Sequence, residues 1–126
     1  MEPTNDRLRV ELVRGVMIVH LLDGQIEQSF GEANDVEELD QSLNLLVDRG
    51  AIARLLLDFG EVEYVVSLMQ AKLLRLGLRL RCNGGQLRLC GLRPVVAQSF
   101  QVTGLSRQFA IHPDVNSALD AFESGR

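Results

Sequence analysis

The sequence has no tryptophan, one tyrosine and five phenylalanines among its 126 residues. So few aromatic rings offer no platform on which bases could stack. The balance of 17 acidic to 13 basic side chains also runs against a chain that neutralises phosphates, so no direct nucleic-acid partner is expected. Cysteine is equally scarce. Cys82 and Cys90 are too few and too far apart for a zinc knuckle or a C-x-x-C redox pair, and they read as free thiols. The only histidines, His20 and His112, have no cysteine, histidine or carboxylate at metal-ligand spacing, so no metal is expected. Phosphate-cradling loops are missing, as is a nucleophile elbow around Ser67, which leaves neither a cofactor nor an enzymatic centre to expect.

Long apolar runs are absent too. The stretch from Val16 to Leu22 carries His20 and stops at Asp23, well short of the roughly 18 residues of a membrane span. The opening Met-Glu-Pro-Thr-Asn-Asp lacks the basic and apolar regions of a secretory leader. These features predict a cytoplasmic chain with no membrane insertion.

What remains is an ordinary globular composition, 46% hydrophobic and 24% charged, sufficient for one core and one domain over residues 1–126. Charge is unevenly spread. Residues 1–50 hold eleven acids and four bases, whereas residues 51–93 hold three acids and seven bases, so a basic middle lies inside an acidic protein.

The pattern of apolar residues gives the elements. Leu8, Val10 and Leu12 alternate with polar neighbours, Val16 to Leu22 is β-branched and apolar, and Arg14-Gly15 between them predicts a hairpin turn. The polar segment from Asp23 to Ala33 reads as a loop or irregular strand. Asn34 or Asp35 suits a helix start, with Glu37 and Glu38 in the first turn. The stripe Val36, Leu39, Leu43, Leu46 and Val47 then runs to Arg49-Gly50. Ala53 to Phe59 predicts a strand buried on both faces. A second helix over 67–81 carries Leu68, Met69, Leu73, Leu76 and Leu80 on one side and closes at Gly84-Gly85. Gln86 to Cys90 reads as a strand, Pro94 opens a third helix that Gly104 ends, and Phe109 to Ile111 is a last short strand. Pro113-Asp114 starts a final helix with Val115, Ala118, Leu119 and Phe122 inward. Alternating strands and helices predict an α/β domain with a small, largely parallel sheet of about five strands.

Few residues suggest chemistry. Asp58 lies at the C-terminal end of a predicted parallel strand, where α/β proteins place ligands, with Glu61 and Glu63 just beyond. A lone carboxylate there serves equally as a turn residue. The row Lys72, Arg75 and Arg79 on the second helix suits either an acidic partner or a solvated face.

The element order matches that of the STAS domain, the fold of bacterial anti-sigma factor antagonists, and three segments resemble it in sequence. Leu55-Leu-Leu-Asp-Phe-Gly-Glu-Val-Glu-Tyr64 resembles the family's apolar strand and "gVefid" turn. Gly84-Gly-Gln-Leu-Arg-Leu-Cys-Gly-Leu-Arg-Pro94 resembles "GG-x-L-x-l-x-g-l-x-P", and Val102-Thr-Gly-Leu105 with Phe109 and Ile111 resembles the "TGL" ending. The resemblance is close over residues 53–122. It implies a non-enzymatic signalling module that binds an anti-sigma factor of serine/threonine-kinase type and so frees a sigma factor for transcription.

In that family an Asp-Ser-Ser/Thr-Gly motif opens the second helix, and its first serine is phosphorylated by the partner. Ser67 occupies that place, but the stretch here is Val66-Ser67-Leu68-Met69. A phosphate on Ser67 would add about −1.5 to −2 charge at a helix N-terminus, which receives anions well. The resemblance therefore implies Ser67 as phosphoacceptor and Val66, Ser67, Leu68, Met69, Lys72 and Arg75 as the partner surface. Ser67 reads equally as a helix N-cap, and some of its apolar neighbours as core. The missing Asp and Gly also fit a degenerate, unphosphorylated STAS scaffold or a subunit of a larger signalling or transporter-associated complex.

Overall fold

A computed structural model describes residues 8–22, 33–50 and 54–124. Five strands alternate with helices in chain order: β1 (Leu8–Val13), β2 (Val16–Leu21), α1 (Ala33–Gly50), β3 (Arg54–Asp58), α2 (Ser67–Cys82), β4 (Gln86–Cys90), α3 (Pro94–Val102), β5 (Ala110–His112) and α4 (Val115–Ser124). The segment from Asp23 to Glu32 lies outside the described residues, as do the side chains of Asn34 to Glu38.

The strands form one mixed sheet in sequence order. β1 pairs antiparallel with β2, and every later pairing is parallel. Arg14 (φ 53°) and Gly15 (φ 77°) both occupy left-handed backbone, the geometry of the two-residue turns that match strand twist, so the hairpin closes where the sequence predicts. The Arg14 guanidinium then reaches α4 and pairs with Asp120 at 3.2 Å and Glu123 at 3.4 Å.

Each parallel crossover moves one strand along the sheet in the same direction, and a constant crossover hand puts their helices on one face. The larger core lies there. Leu39, Leu43, Leu46 and Val47 of α1, Met69, Leu73, Leu76 and Leu80 of α2, and Val96 and Phe100 of α3 close over Val19, Leu21, Leu55, Leu57 and Leu89. α4 covers the opposite face, where Ala118, Leu119 and Phe122 pack on Val16, Ile18, Leu56 and Cys90. Helices on both faces explain why Leu55, Leu56 and Leu57 are all buried.

Two details depart from the sequence pattern. Leu12 shares the alternation of Leu8 yet is 70% exposed, at the turn end of the edge strand. The last strand runs Ala110–His112, one residue later than predicted at each end, and Phe109 just before it is buried in the larger core.

Candidate functional site

The parallel strands β3 and β4 point their C-terminal ends at the starts of α2 and α3, so one end of the sheet gathers the segments that the sequence singles out. Asp58, Phe59 and Gly60 leave β3 there. Phe59 N–H donates to the Cys90 carbonyl at 2.9 Å, which extends the strand pairing by one residue, and its ring meets Phe100 edge-on with centroids 6.2 Å apart. Val62, Val65 and Val66 are buried in turn, so the connection to α2 is anchored along its length.

Asp58 holds two groups at once. Its Oδ1 accepts the Gly60 N–H at 2.9 Å, and its Oδ2 lies 2.7 Å from Nδ1 of His20. The other ring nitrogen of His20, Nε2, lies 2.6 Å from Oε2 of Glu11. A bridge of carboxylate, imidazole and carboxylate thus crosses three strands. Gly91 runs close beside it with φ 71°, and a Cβ there would stand 3.0 Å from Asp58 Oδ1, so any other side chain would be strained in its backbone and crowd the bridge.

Sequence reasoning missed this bridge because the three residues are 9 and 38 positions apart. The hairpin turn did carry half the signal: it sets Glu11 opposite Ile18, which makes Glu11 and His20 diagonal neighbours on one face. The pairing of His20 with Asp58 is fixed only when β2 meets β3. Glu61 and Glu63 are exposed and take no part. Among the described residues no group of three or more His, Cys, Asp or Glu side chains is placed to hold a metal ion.

Ser67 is the first residue of α2 and is exposed. The N-cap is Val66, in extended backbone, with no side chain capping the helix and no acid in its first turn. Gln70 N–H makes the first helical bond, to the Val66 carbonyl, so the amides of Ser67, Leu68 and Met69 lie ahead of the ladder. A helix start of this kind suits an added anion.

Its neighbours divide sharply. Leu68 is 42% exposed, whereas Val66 and Met69 are only 6% and 2% exposed and belong to the core. Of the four residues at the helix start, Ser67 and Leu68 are therefore the accessible ones, and Val66 and Met69 shape the surface from beneath. Tyr64 and Val95 are also exposed at this end of the sheet. The basic row divides too. Lys72 lies 3.9 Å from Asp40, Arg79 pairs with Asp48 and Asn44, all on α1, and Arg75 points outward.

Beneath Ser67 sits a buried polar side chain. Gln70 Nε2 donates to the Val65 carbonyl at 3.2 Å and to Ser99 Oγ at 2.8 Å, while Thr103 Oγ1 donates to Gln70 Oε1 at 3.0 Å. This amide locks the first turn of α2 to α3. From the α3 side, Arg93 Nε donates to the Gly60 carbonyl at 3.2 Å. Cys90, at the end of β4, is inert: burial first, then the charges of Asp58 and Asp114, push its thiol pKa up to about 12.

Comparison with known proteins reaches the same region. The family model of the STAS domain matches residues 8–118. The Bordetella bronchiseptica protein BtrV, which carries the name of an anti-sigma factor antagonist, is 28% identical over 118 residues, covering 94% of this chain and 96% of that protein. Among solved structures, a serine-to-glutamate variant of RsbS from Moorella thermoacetica superposes with a TM-score of 0.75 at 21% identity, over 94% of this chain and 96% of that one. The anti-sigma factor antagonist SpoIIAA in its unphosphorylated form superposes with a TM-score of 0.74 at 18% identity, over 93% and 96%.

Proposed function

Because the chain belongs to the STAS domain family, we propose that it acts as an anti-sigma factor antagonist in the cytoplasm, docking a kinase-type anti-sigma factor on the start of α2 and releasing when Ser67 is phosphorylated. The observation that carries this reading is the exposed Ser67 at an uncapped helix N-terminus, ahead of the first backbone hydrogen bond. A phosphate there adds about −1.5 to −2 charge and would be held by the free amides and the helix dipole. The same charge would face any partner seated on Leu68, Tyr64 and Val95, the apolar groups exposed at this end of the sheet. Desolvating a phosphate against apolar surface is unfavourable, so docking and phosphorylation oppose one another.

Gln70 supports this division of labour. By fastening α2 to α3 from inside, it lets the outer surface change its charge without the helix start shifting.

Native-lysate pull-downs with wild type, Ser67→Ala and Ser67→Glu, followed by phosphosite mass spectrometry, test the reading. It predicts a kinase-fold anti-sigma factor on wild type and Ser67→Ala, its loss from Ser67→Glu, and phosphate on Ser67. Identical partners on all three baits with Ser67 unmodified would refute the switch. That result would favour an unphosphorylated STAS scaffold in a larger complex, the reading supported by buried Val66 in the place of the family's Asp.

A further inference from the structure

β1 is the outer strand of the sheet, paired with β2 on one side and with no strand on the other among the described residues. Which of its backbone groups face outward follows from the hairpin. In a two-residue turn the flanking pair, here Val13 and Val16, is hydrogen-bonded, and along an antiparallel ladder such pairs alternate with non-bonded ones. Glu11 with Ile18 and Arg9 with His20 are therefore bonded pairs too, whereas Leu8, Val10 and Leu12 direct their N–H and C=O groups away from β2.

Sheet edges are ordinarily blunted by proline, by lysine or by a bulge. β1 has none of these: its six residues, Leu-Arg-Val-Glu-Leu-Val, pair with β2 without interruption. Leu12 is 70% exposed on it and Val10 is half-buried. The two charges of the strand, Arg9 and Glu11, are exposed and opposite in sign. Among the described residues the Arg9 side chain has no ion pair or hydrogen bond, and Glu11 meets His20 through Oε2 alone.

We propose that a second copy of this chain docks on this edge, β1 against β1, antiparallel about a two-fold axis through Val10, so that two five-stranded sheets become one. In this register Val10 faces its own counterpart and Leu8 faces Leu12 of the second copy, so residues with outward backbone groups meet one another and exchange hydrogen bonds. Arg9 faces Glu11 of the second copy, twice over by symmetry, in the non-bonded pairs where side chains stand closest. Leu12 comes beside Leu8 and loses its exposure to water. Moving the axis by one residue keeps the backbone bonds but sets Arg9 against Arg9 or Glu11 against Glu11, so the charges select the register. The edge is two strands away from β3, whose exit leads to Ser67, and the pairing is independent of the docking surface.

A contact limited to one strand edge is smaller than a standard interface, so a micromolar Kd is expected. Sedimentation velocity of the full chain from about 1 to 300 µM should follow wild type from monomer to dimer. Arg9→Glu and Glu11→Lys, each alone, put like charges at both pairs and should weaken the Kd at least about tenfold. Mixing the two variants brings opposite charges together again, and a heterodimer of wild-type affinity should form. In wild type, hydrogen exchange at the Val10 and Leu12 amides should slow as concentration rises, while the Arg9 and Glu11 amides, already bonded to β2, stay unchanged. A chain that remains monomeric throughout overturns the proposal, as does a dimer that Arg9→Glu leaves intact or a mixture of folded variants that does not associate. If Glu11→Lys does not fold, amide exchange decides, and Val10 and Leu12 amides insensitive to concentration overturn the pairing.

Discussion

Oδ2 of Asp58 lies 2.7 Å from Nδ1 of His20, and this contact ties the exit of the central strand β3 to its neighbour β2. His20 is almost fully buried, whereas Glu11, on its other nitrogen, is about half exposed. Water therefore screens the Glu11 contact more than the Asp58 contact. Asp58→Ala should cost about 1–3 kcal/mol, because it strands a buried imidazole and frees the Gly60 amide. Glu11→Ala should cost about 1 kcal/mol or less. Urea unfolding of both variants checks the order, and a larger loss for Glu11→Ala would contradict it.

Gln70→Leu keeps most of the side-chain volume but leaves the Ser99 and Thr103 hydroxyls and the Val65 carbonyl without their amide partner. A loss of about 1–3 kcal/mol is expected. Hydrogen exchange should accelerate at the Gln70 amide, the first that the helix ladder holds, and at the turn after it, because the lock between α2 and α3 is gone. Unchanged exchange there would mean that the apolar anchors hold the helix start unaided.

Val66→Asp restores the residue that the family places before its serine. An Asp at the N-cap contributes about 1 kcal/mol through the free amides. Removing a buried valine forfeits about 1.5–3 kcal/mol. The variant should therefore be less stable by about 1 kcal/mol, read by chemical denaturation. A net gain would show that the site relaxes to let the carboxylate reach solvent.

Cys82 is exposed and Cys90 is buried with its thiol pKa pushed up to about 12. Ellman's reagent at pH 8 should modify one thiol per native chain promptly and the second only on unfolding, and Cys82→Ser should remove the prompt reaction. Two fast thiols in the native protein would contradict the packing of α4 over Cys90.

Asp114 caps α4 by accepting the Ser117 N–H at 2.8 Å, and this bond, with the Ser117 hydroxyl, holds its carboxyl below the usual carboxylate range. A depressed acid contributes stability above its unfolded-state pKa and loses it as pH falls through the folded value. The Tm deficit of Asp114→Ala should accordingly be constant near pH 6–7 and shrink below about pH 4. A deficit that persists unchanged at pH 2.5 would refute the charged cap.

The serine at the head of α2 was legible in sequence because a resemblance and a helix start coincide at one local position. Which of its neighbours face outward was not. Val66, Leu68 and Met69 are three apolar residues within four positions, and only the way α2 seats on the sheet sends Val66 and Met69 inward and Leu68 out. The same limit governs the basic row. Lys72 and Arg79 share a helix face in any reading, but α1 must dock alongside before Asp40 and Asp48 meet them.

Local pattern by itself determined the element order, the hairpin at Arg14-Gly15 and the buried triple leucine of β3, since each rests on neighbours within a turn or a strand. Tertiary structure alone decided the His20 bridge and the Gln70 lock. Each joins side chains that are distant in sequence, and whether a polar group finds a partner depends on which strands and helices become neighbours rather than on its own periodicity.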